Sequence, residues 1–227
     1  MFFRKSVIAG AAALSLAWSA ASASTIAYEV QAGTAGNQDY SGVLGMLFDV
    51  NSPISVLSLG VFDDLGPGIT AGTTLVVELW SRSGTVGQSI LADFEFTNVS
   101  AGTLIGGSRF KDLDSPLTLA AGEYAIVSYG YNGNDMNGNK GSNPSGTWST
   151  NDGGGLLEFI GSSNSGGQFG GVPGSTIGNT QDGGPEDRYA AGTFAFTAVP
   201  LPAALPMFAA GLGILGYLGR RKKAAAS

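Results

Sequence analysis

Ile54-Ser55-Val56-Leu57-Ser58-Leu59-Gly60-Val61-Phe62 alternates apolar with small or polar residues, and Thr73-Thr74-Leu75-Val76-Val77-Glu78-Leu79-Trp80 repeats the habit with more β-branched side chains. A period near two places Ile54, Val56, Leu57 and Leu59 mostly on one face, which is strand grammar. A helix would need apolar positions three and four apart, and neither stretch supplies them.

The same grammar extends outward in both directions. Residues 25–30 are short and β-prone. Residues 43–50 (VLGMLFDV) are apolar almost throughout and stop at the turn Asn51-Ser52-Pro53. Asp63-Asp64-Leu65-Gly66-Pro67-Gly68 reads as a loop, and Ser81-Arg82-Ser83-Gly84 closes the strand that ends at Trp80. Phe94-Glu95-Phe96 lies within a strand expected over 90–99, with Glu95 outward if the rings are core. Ser115-Pro116-Leu117-Thr118-Leu119 leads through Ala120-Ala121-Gly122 into a strand over 123–131, and residues 191–198 (AGTFAFTA) read as a closing strand. Many short strands with turn signals and no helical-period stretch between the ends predict an all-β domain. The expected form is an antiparallel β-sandwich, jelly-roll or immunoglobulin-like, with Gly/Asn-rich loops. Residues 133–187 hold 16 glycines in 55 positions; only Leu156-Leu157-Glu158-Phe159-Ile160 reads there as a strand, and the rest as long loops.

Both ends read differently from the middle. Arg4-Lys5 precede a short Ala-rich apolar stretch that finishes at Ala21-Ser22-Ala23, the three parts of a signal peptide. Signal peptidase is expected to cut after Ala23, leaving a domain over 24–198. At the other end, Val199-Pro200-Leu201-Pro202-Ala203 precedes an apolar segment over 205–219 and the cations Arg220, Arg221, Lys222 and Lys223. Fifteen residues make about 23 Å of helix, shorter than the roughly 20 residues a stable span takes. The four cations should stay cytoplasmic and hold the Pro-x-Pro motif at the outer membrane face, extended because proline stops the helix from running into it.

Removing both ends changes the charge balance. All 17 acidic residues lie between Glu29 and Asp187, whereas the domain keeps only Arg82, Arg109, Lys111, Lys140 and Arg188, for a net charge of −12. Such a surface repels phosphate backbones, so nucleic acid is excluded as a partner. The chain has no Cys and no His. Its core must therefore hold without disulfides, and Ser-His-Asp, Cys-His, imidazole and thiolate chemistry are all excluded. Carboxylate chemistry and oxygen-only metal binding remain.

The tail over 199–223 resembles the PEP-CTERM class of bacterial sorting signals in its VPLPA-type variant, with Leu201 standing where the class has a central Glu. The resemblance implies an exported protein of a Gram-negative bacterium that makes extracellular polysaccharide. It further implies transient residence in the inner membrane, processing by an exosortase-like membrane peptidase, and delivery to the cell surface or extracellular biofilm matrix. The stretch from Met46 to Gly133 is similar to the β-sandwich domain frequent in such proteins, a resemblance carried by 54–63, Val77-Glu78-Leu79-Trp80 and 116–124; it implies a fold and no activity.

Three constellations remain as site candidates. Asn132-Gly133-Asn134-Asp135-Met136-Asn137-Gly138-Asn139 fails as an EF-type loop, because Gly133 stands where a carboxylate is needed and no Glu falls at the twelfth position. No cofactor is expected there, calcium being the one ion that a looser set of Asn134, Asp135, Asn137 and Asp152 would admit. Tyr131, Trp148 and Phe169 lie in the polar region and are the candidate stacking residues for a carbohydrate or adhesion module. Glu78 with Glu123 or Glu158 is the conceivable glycosidase pair, but a Glu alternating with apolar residues usually belongs to a solvated strand face. The leading expectation is a non-enzymatic exported surface or matrix protein, with the polysaccharide-binding module as its alternative.

Overall fold

A computed structural model of the chain describes residues 23–141, 148–165 and 187–199. These belong to one compact unit bounded by Ser22 and Val199. The signal segment, the 205–219 span, the basic cluster and Phe169 lie outside the described residues.

Fourteen strands are described: β1 (Thr25–Ile26), β2 (Tyr28–Val30), β3 (Val43–Val50), β4 (Ile54–Phe62), β5 (Leu75–Ser83), β6 (Val86–Phe96), β7 (Thr103–Ile105), β8 (Ser108–Leu119), β9 (Gly122–Tyr129), β10 (Gly138–Asn139), β11 (Trp148–Thr150), β12 (Leu157–Ser165), β13 (Tyr189–Ala190) and β14 (Gly192–Ala198). No helix occurs among the described residues. The protein is all-β, and every strand pairing is antiparallel. One five-stranded sheet has the order β1-β14-β4-β8-β7, and a second has the order β12-β3-β9-β5-β6. The pairs β10-β13 and β11-β2 form two small ribbons.

The main core draws on both large sheets: Ile54, Val56, Leu59, Val61, Phe194 and Phe196 from the first, and Leu44, Met46, Phe48, Leu75, Val77, Leu79 and Ile126 from the second. In the second sheet the residues between these build another cluster: Val43, Leu47, Trp80, Ala125 and Val127. Since neighbours along a strand point to opposite faces, β3 and β9 are apolar on both sides. That is why VLGMLFDV shows no alternation. Glycine is required within it, because a Cβ on Gly45 would lie 2.2 Å from the Ile126 carbonyl oxygen.

The defining stretch, β4, contains a correction to simple period two. Its pairing with β14 skips Leu57, Val56 facing Phe196 and Ser58 facing Ala195. Leu57 is the extra residue of a bulge, only half-buried, and it resets the phase so that Ile54 and Val56 before it, and Leu59 and Val61 after it, all reach one core. On the other side of β4 the pairing jumps from Leu117 to Asp112. Pro116 falls in that interruption, where no ladder N–H is demanded of it.

Several expectations are adjusted. Strand β6 begins at Val86 and ends at Phe96, with Phe96 buried and Glu95 exposed. The Gly-rich region holds more strand than LLEFI alone, since β10 and β11 are in it and β12 runs on to Ser165. Strand β7 and the first half of β8 had no alternation signal, and they pair only with each other and with β4.

Candidate functional site

Strands β11 and β12 are joined by a loop that folds around three consecutive left-handed glycines, Gly153, Gly154 and Gly155, at φ of 66°, 80° and 89°. Only glycine accepts such a run without strain. Asn151 Oδ1 accepts from the Gly153 N–H at 3.1 Å and Asp152 Oδ1 from the Gly154 N–H at 2.8 Å. The Leu157 N–H closes the loop on the Asp152 carbonyl at 3.0 Å. From the neighbouring turn, Asn51 donates its N–H to Leu156 O at 2.9 Å and its Nδ2 to Gly155 O at 3.3 Å. This frame lines a cleft of about 510 Å³ with Thr150, Asn151, Asp152, Leu157, Glu158 and Phe159.

Glu158 carries the cleft onto the second sheet. In register it faces Asp49 on β3, and Asp49 faces Glu123 on β9. Residues directly opposite in antiparallel strands have Cβ atoms about 5 Å apart, so three carboxylates lie side by side across three strands. Arg82 is the counter-charge: it pairs with Asp49 and lies 3.6 Å from Glu123. Its guanidinium also donates to Tyr124 O, Gly84 O and Phe48 O at 2.8, 2.9 and 3.3 Å. Burial pushes the Asp49 carboxyl above its ordinary range; Arg82 pulls it back, while Glu123 and Glu158 add to the rise. The face can attract cations and accept hydrogen bonds from hydroxyl groups, and one arginine leaves its negative charge in excess.

The candidate pair for glycoside hydrolysis does not form around Glu78. That residue is buried, contrary to the expected solvated face: its Oε2 accepts from Trp80 Nε1 and its Oε1 from the Tyr129 hydroxyl, each at 2.9 Å. Burial, followed by the bond to Glu78, holds the Tyr129 hydroxyl far above its ordinary pKa of 10.0. Glu78 faces Val127 on β9, four residues along the strand from Glu123, or about 13 Å. Its role is to satisfy two polar groups beside the second apolar cluster.

The two described stacking candidates are interior residues. Tyr131 is 0% exposed, and its hydroxyl accepts from Ser128 Oγ at 3.4 Å. Trp148 is 4% exposed and donates from Nε1 to Asp187 O at 2.7 Å, with Lys140 above its ring. Neither offers a ring face to a sugar, because both were needed to fill space beneath the loops. Exposure is a tertiary property that residue type and a polar neighbourhood did not reveal.

The suggested oxygen-ligand set also divides. Asn132 and Asp135 exchange backbone hydrogen bonds at 3.0 and 3.2 Å, making a tight turn of Gly133 and Asn134. Asn134 is exposed at its tip, and Asp152 belongs to the separate glycine loop. Asp135 and Asn137 stay together and are both buried. Among the described residues no group of three or more His, Cys, Asp or Glu converges as a metal site. Sequence reasoning missed Asn151 and the Asp49–Glu123–Glu158 row; only strand register places them together. Comparison of the chain with protein-family models, curated proteins and solved structures found no match.

Proposed function

We propose that the chain is a non-enzymatic exported protein of the cell surface or extracellular matrix, passed through the inner membrane and processed at its C-terminal VPLPA-type signal by an exosortase-like peptidase. The observation that carries this reading is where the folded unit stops. Strand β14 ends at Ala198, and the Val199 N–H donates to Pro53 O at 3.1 Å. The Pro-x-Pro motif starts at the next residue, so a cut there would leave every described strand whole. The compact unit bounded by Ser22 and Val199 is consistent with processing at both ends. In this reading the two five-stranded sheets are the halves of a β-sandwich of jelly-roll or immunoglobulin-like type, a stable acidic body whose loops meet the matrix.

The alternative, a polysaccharide-binding or adhesion module, now rests on the cleft of Thr150, Asn151, Asp152 and Glu158, whose amide, hydroxyl and carboxylate groups suit sugar hydroxyls.

Intact mass of the mature protein, measured by cell fraction in its native host, tests the leading reading. A chain ending near residues 199–203 in the surface or medium fraction is expected. A membrane-bound species that retains Arg220 to Lys223 would overturn it in favour of a permanently anchored protein.

A further inference from the structure

Three buried side-chain oxygens have no hydrogen-bond partner among the described residues at one place in the fold: Gln38 Oε1, Asp135 Oδ2 and Asn137 Oδ1. The backbone brings them together. Gln38 and Asn137 are bridge partners with reciprocal bonds, Gln38 N–H to Asn137 O at 3.1 Å and Asn137 N–H to Gln38 O at 3.0 Å. Such a pair carries its side chains on the same side, with Cα atoms about 5.5 Å apart. Asp135 precedes Asn137 by two positions, the spacing that shares a face in extended chain. Met136, between them, turns to Gly36, where an added Cβ would lie 2.7 Å from the Met136 Cβ.

The other polar atoms of Asp135 and Asn137 are committed, which fixes how their free oxygens are presented. Asp135 Oδ1 accepts from the Thr70 N–H at 3.0 Å, leaving Oδ2. Asn137 Nδ2 donates to Tyr40 O at 3.2 Å, so its oxygen must face the other way. Asp135 is 4% exposed and Asn137 0%. A buried acceptor without a donor costs about 1–3 kcal/mol, and more when charged. Here three acceptors, one of them a carboxylate oxygen, call for a positive partner.

We propose that Gln38, Asp135 and Asn137 are ligands of a calcium ion that ties the 36–40 segment to the 132–137 turn. The donor set is oxygen only, which suits a hard cation, and two neutral amide oxygens with one carboxylate fit the mixed shell of six to eight oxygens that calcium takes. Magnesium demands tighter octahedral geometry and retains its waters. With one carboxylate the site belongs to the weak class, with a Kd of about 10⁻⁴–10⁻³ M, as in extracellular modules. Asp64 already clamps the same two segments without an ion, its Oδ1 accepting from the Gly36 N–H at 2.7 Å and its Oδ2 from the Met136 N–H at 3.4 Å. The ion would complete that clamp.

The test uses the full chain in detergent, with thermal unfolding in about 10 mM calcium chloride against excess chelator, and terbium luminescence to titrate the site. Calcium should raise Tm by about 3–10 °C. Asp135→Asn keeps the shape and removes the charge, and should weaken terbium binding at least about tenfold. Gln38→Glu adds a second carboxylate and should tighten it at least about threefold. A closed hydrogen-bond network with no ion, for example with the Gln38 amide turned to donate, predicts the opposite: Gln38→Glu would lower Tm, and calcium would change nothing. No calcium-dependent Tm shift, or a shift that Asp135→Asn leaves intact, overturns the proposal. If Asp135→Asn does not fold, the direction of the Gln38→Glu effect decides alone.

Discussion

Arg109 Nε donates to Asp63 Oδ2 at 2.5 Å, joining β8 to the loop after β4 through a carboxylate whose side chain is 1% exposed. Asp63 also accepts from the Gly68 N–H, at 3.1 Å to Oδ2. Arg109 reaches Gly102 O and Gly66 O at 3.3 Å each. A buried pair of this kind stabilises little against an apolar replacement, but breaking it leaves a buried charge alone. Arg109→Ala should therefore cost about 3 kcal/mol in urea unfolding. Asp63→Asn combined with Arg109→Met should recover most of that loss. Equal losses in the single and double variants would show that the pair is not coupled.

Acid should not unfold this domain early. Burial raises the Asp63 carboxyl above its ordinary 3.8 despite Arg109, and it raises Asp49 likewise. A raised folded pKa means that the native state binds the proton more readily, so the penalty of the charged form is present above the folded pKa. It fades as pH falls through that value towards 3.8. Lower pH also reduces the net charge of −12. With no His or Cys in the chain, the urea midpoint should stay flat from about pH 8 to pH 6 and then rise down to about pH 4.5. A falling midpoint below pH 6 would contradict this.

The bulge at Leu57 makes a sharper claim. Leu57→Ala should cost under about 1.5 kcal/mol, since the side chain is only half-buried. Deleting Leu57 should be tolerated, because Val56 opposite Phe196 and Ser58 opposite Ala195 then follow one another without a bulge, and Ile54, Val56, Leu59 and Val61 alternate strictly on one face. Circular dichroism and size-exclusion chromatography of the two variants would check both, and a deletion variant that fails to fold would contradict this.

Trp148→Ala should act on stability and not selectively on ligand binding. Truncating a tryptophan that is 4% exposed costs about 3–5 kcal/mol. By contrast, Asp152→Ala and Glu158→Ala, both at exposed cleft positions, should leave Tm within about 2 °C. If a polysaccharide binds at the cleft, these two variants should weaken it in an affinity gel. Loss of binding in a fully folded Trp148→Ala variant would return the site to the aromatic set.

Glycine positions offer a last check on packing. Gly45→Ala would drive a Cβ to 2.2 Å from the Ile126 carbonyl oxygen, a backbone atom that cannot step aside, and should cost more than about 3 kcal/mol. Gly72→Ala, at φ +90° with open space around it, should cost about 1–2 kcal/mol from backbone strain alone. Equal effects at the two sites would mean that the close approach at Gly45 is relieved by movement of β9.

What the chain shows unaided is local. Alternation in β4 and β5, the turns at Asn51-Ser52-Pro53 and Ala120-Ala121-Gly122, and the absence of helical periodicity together declare an all-β protein, because the strand period is a property of neighbouring residues. The missing His and Cys remove whole reaction classes by inspection. The tail motif, too, is legible as a string. The site is not, because it depends on register. Asp49 is 74 residues from Glu123 and 109 from Glu158, yet faces both across its neighbouring strands. The Gln38–Asn137 bridge spans 99 residues of sequence. Exposure is equally global: Tyr131 and Trp148, set among Asn, Gly and Ser, are buried because the sheets and ribbons needed their volume. Residue type proposes a role, but which face of which strand a side chain occupies is decided only when the long-range pairs close.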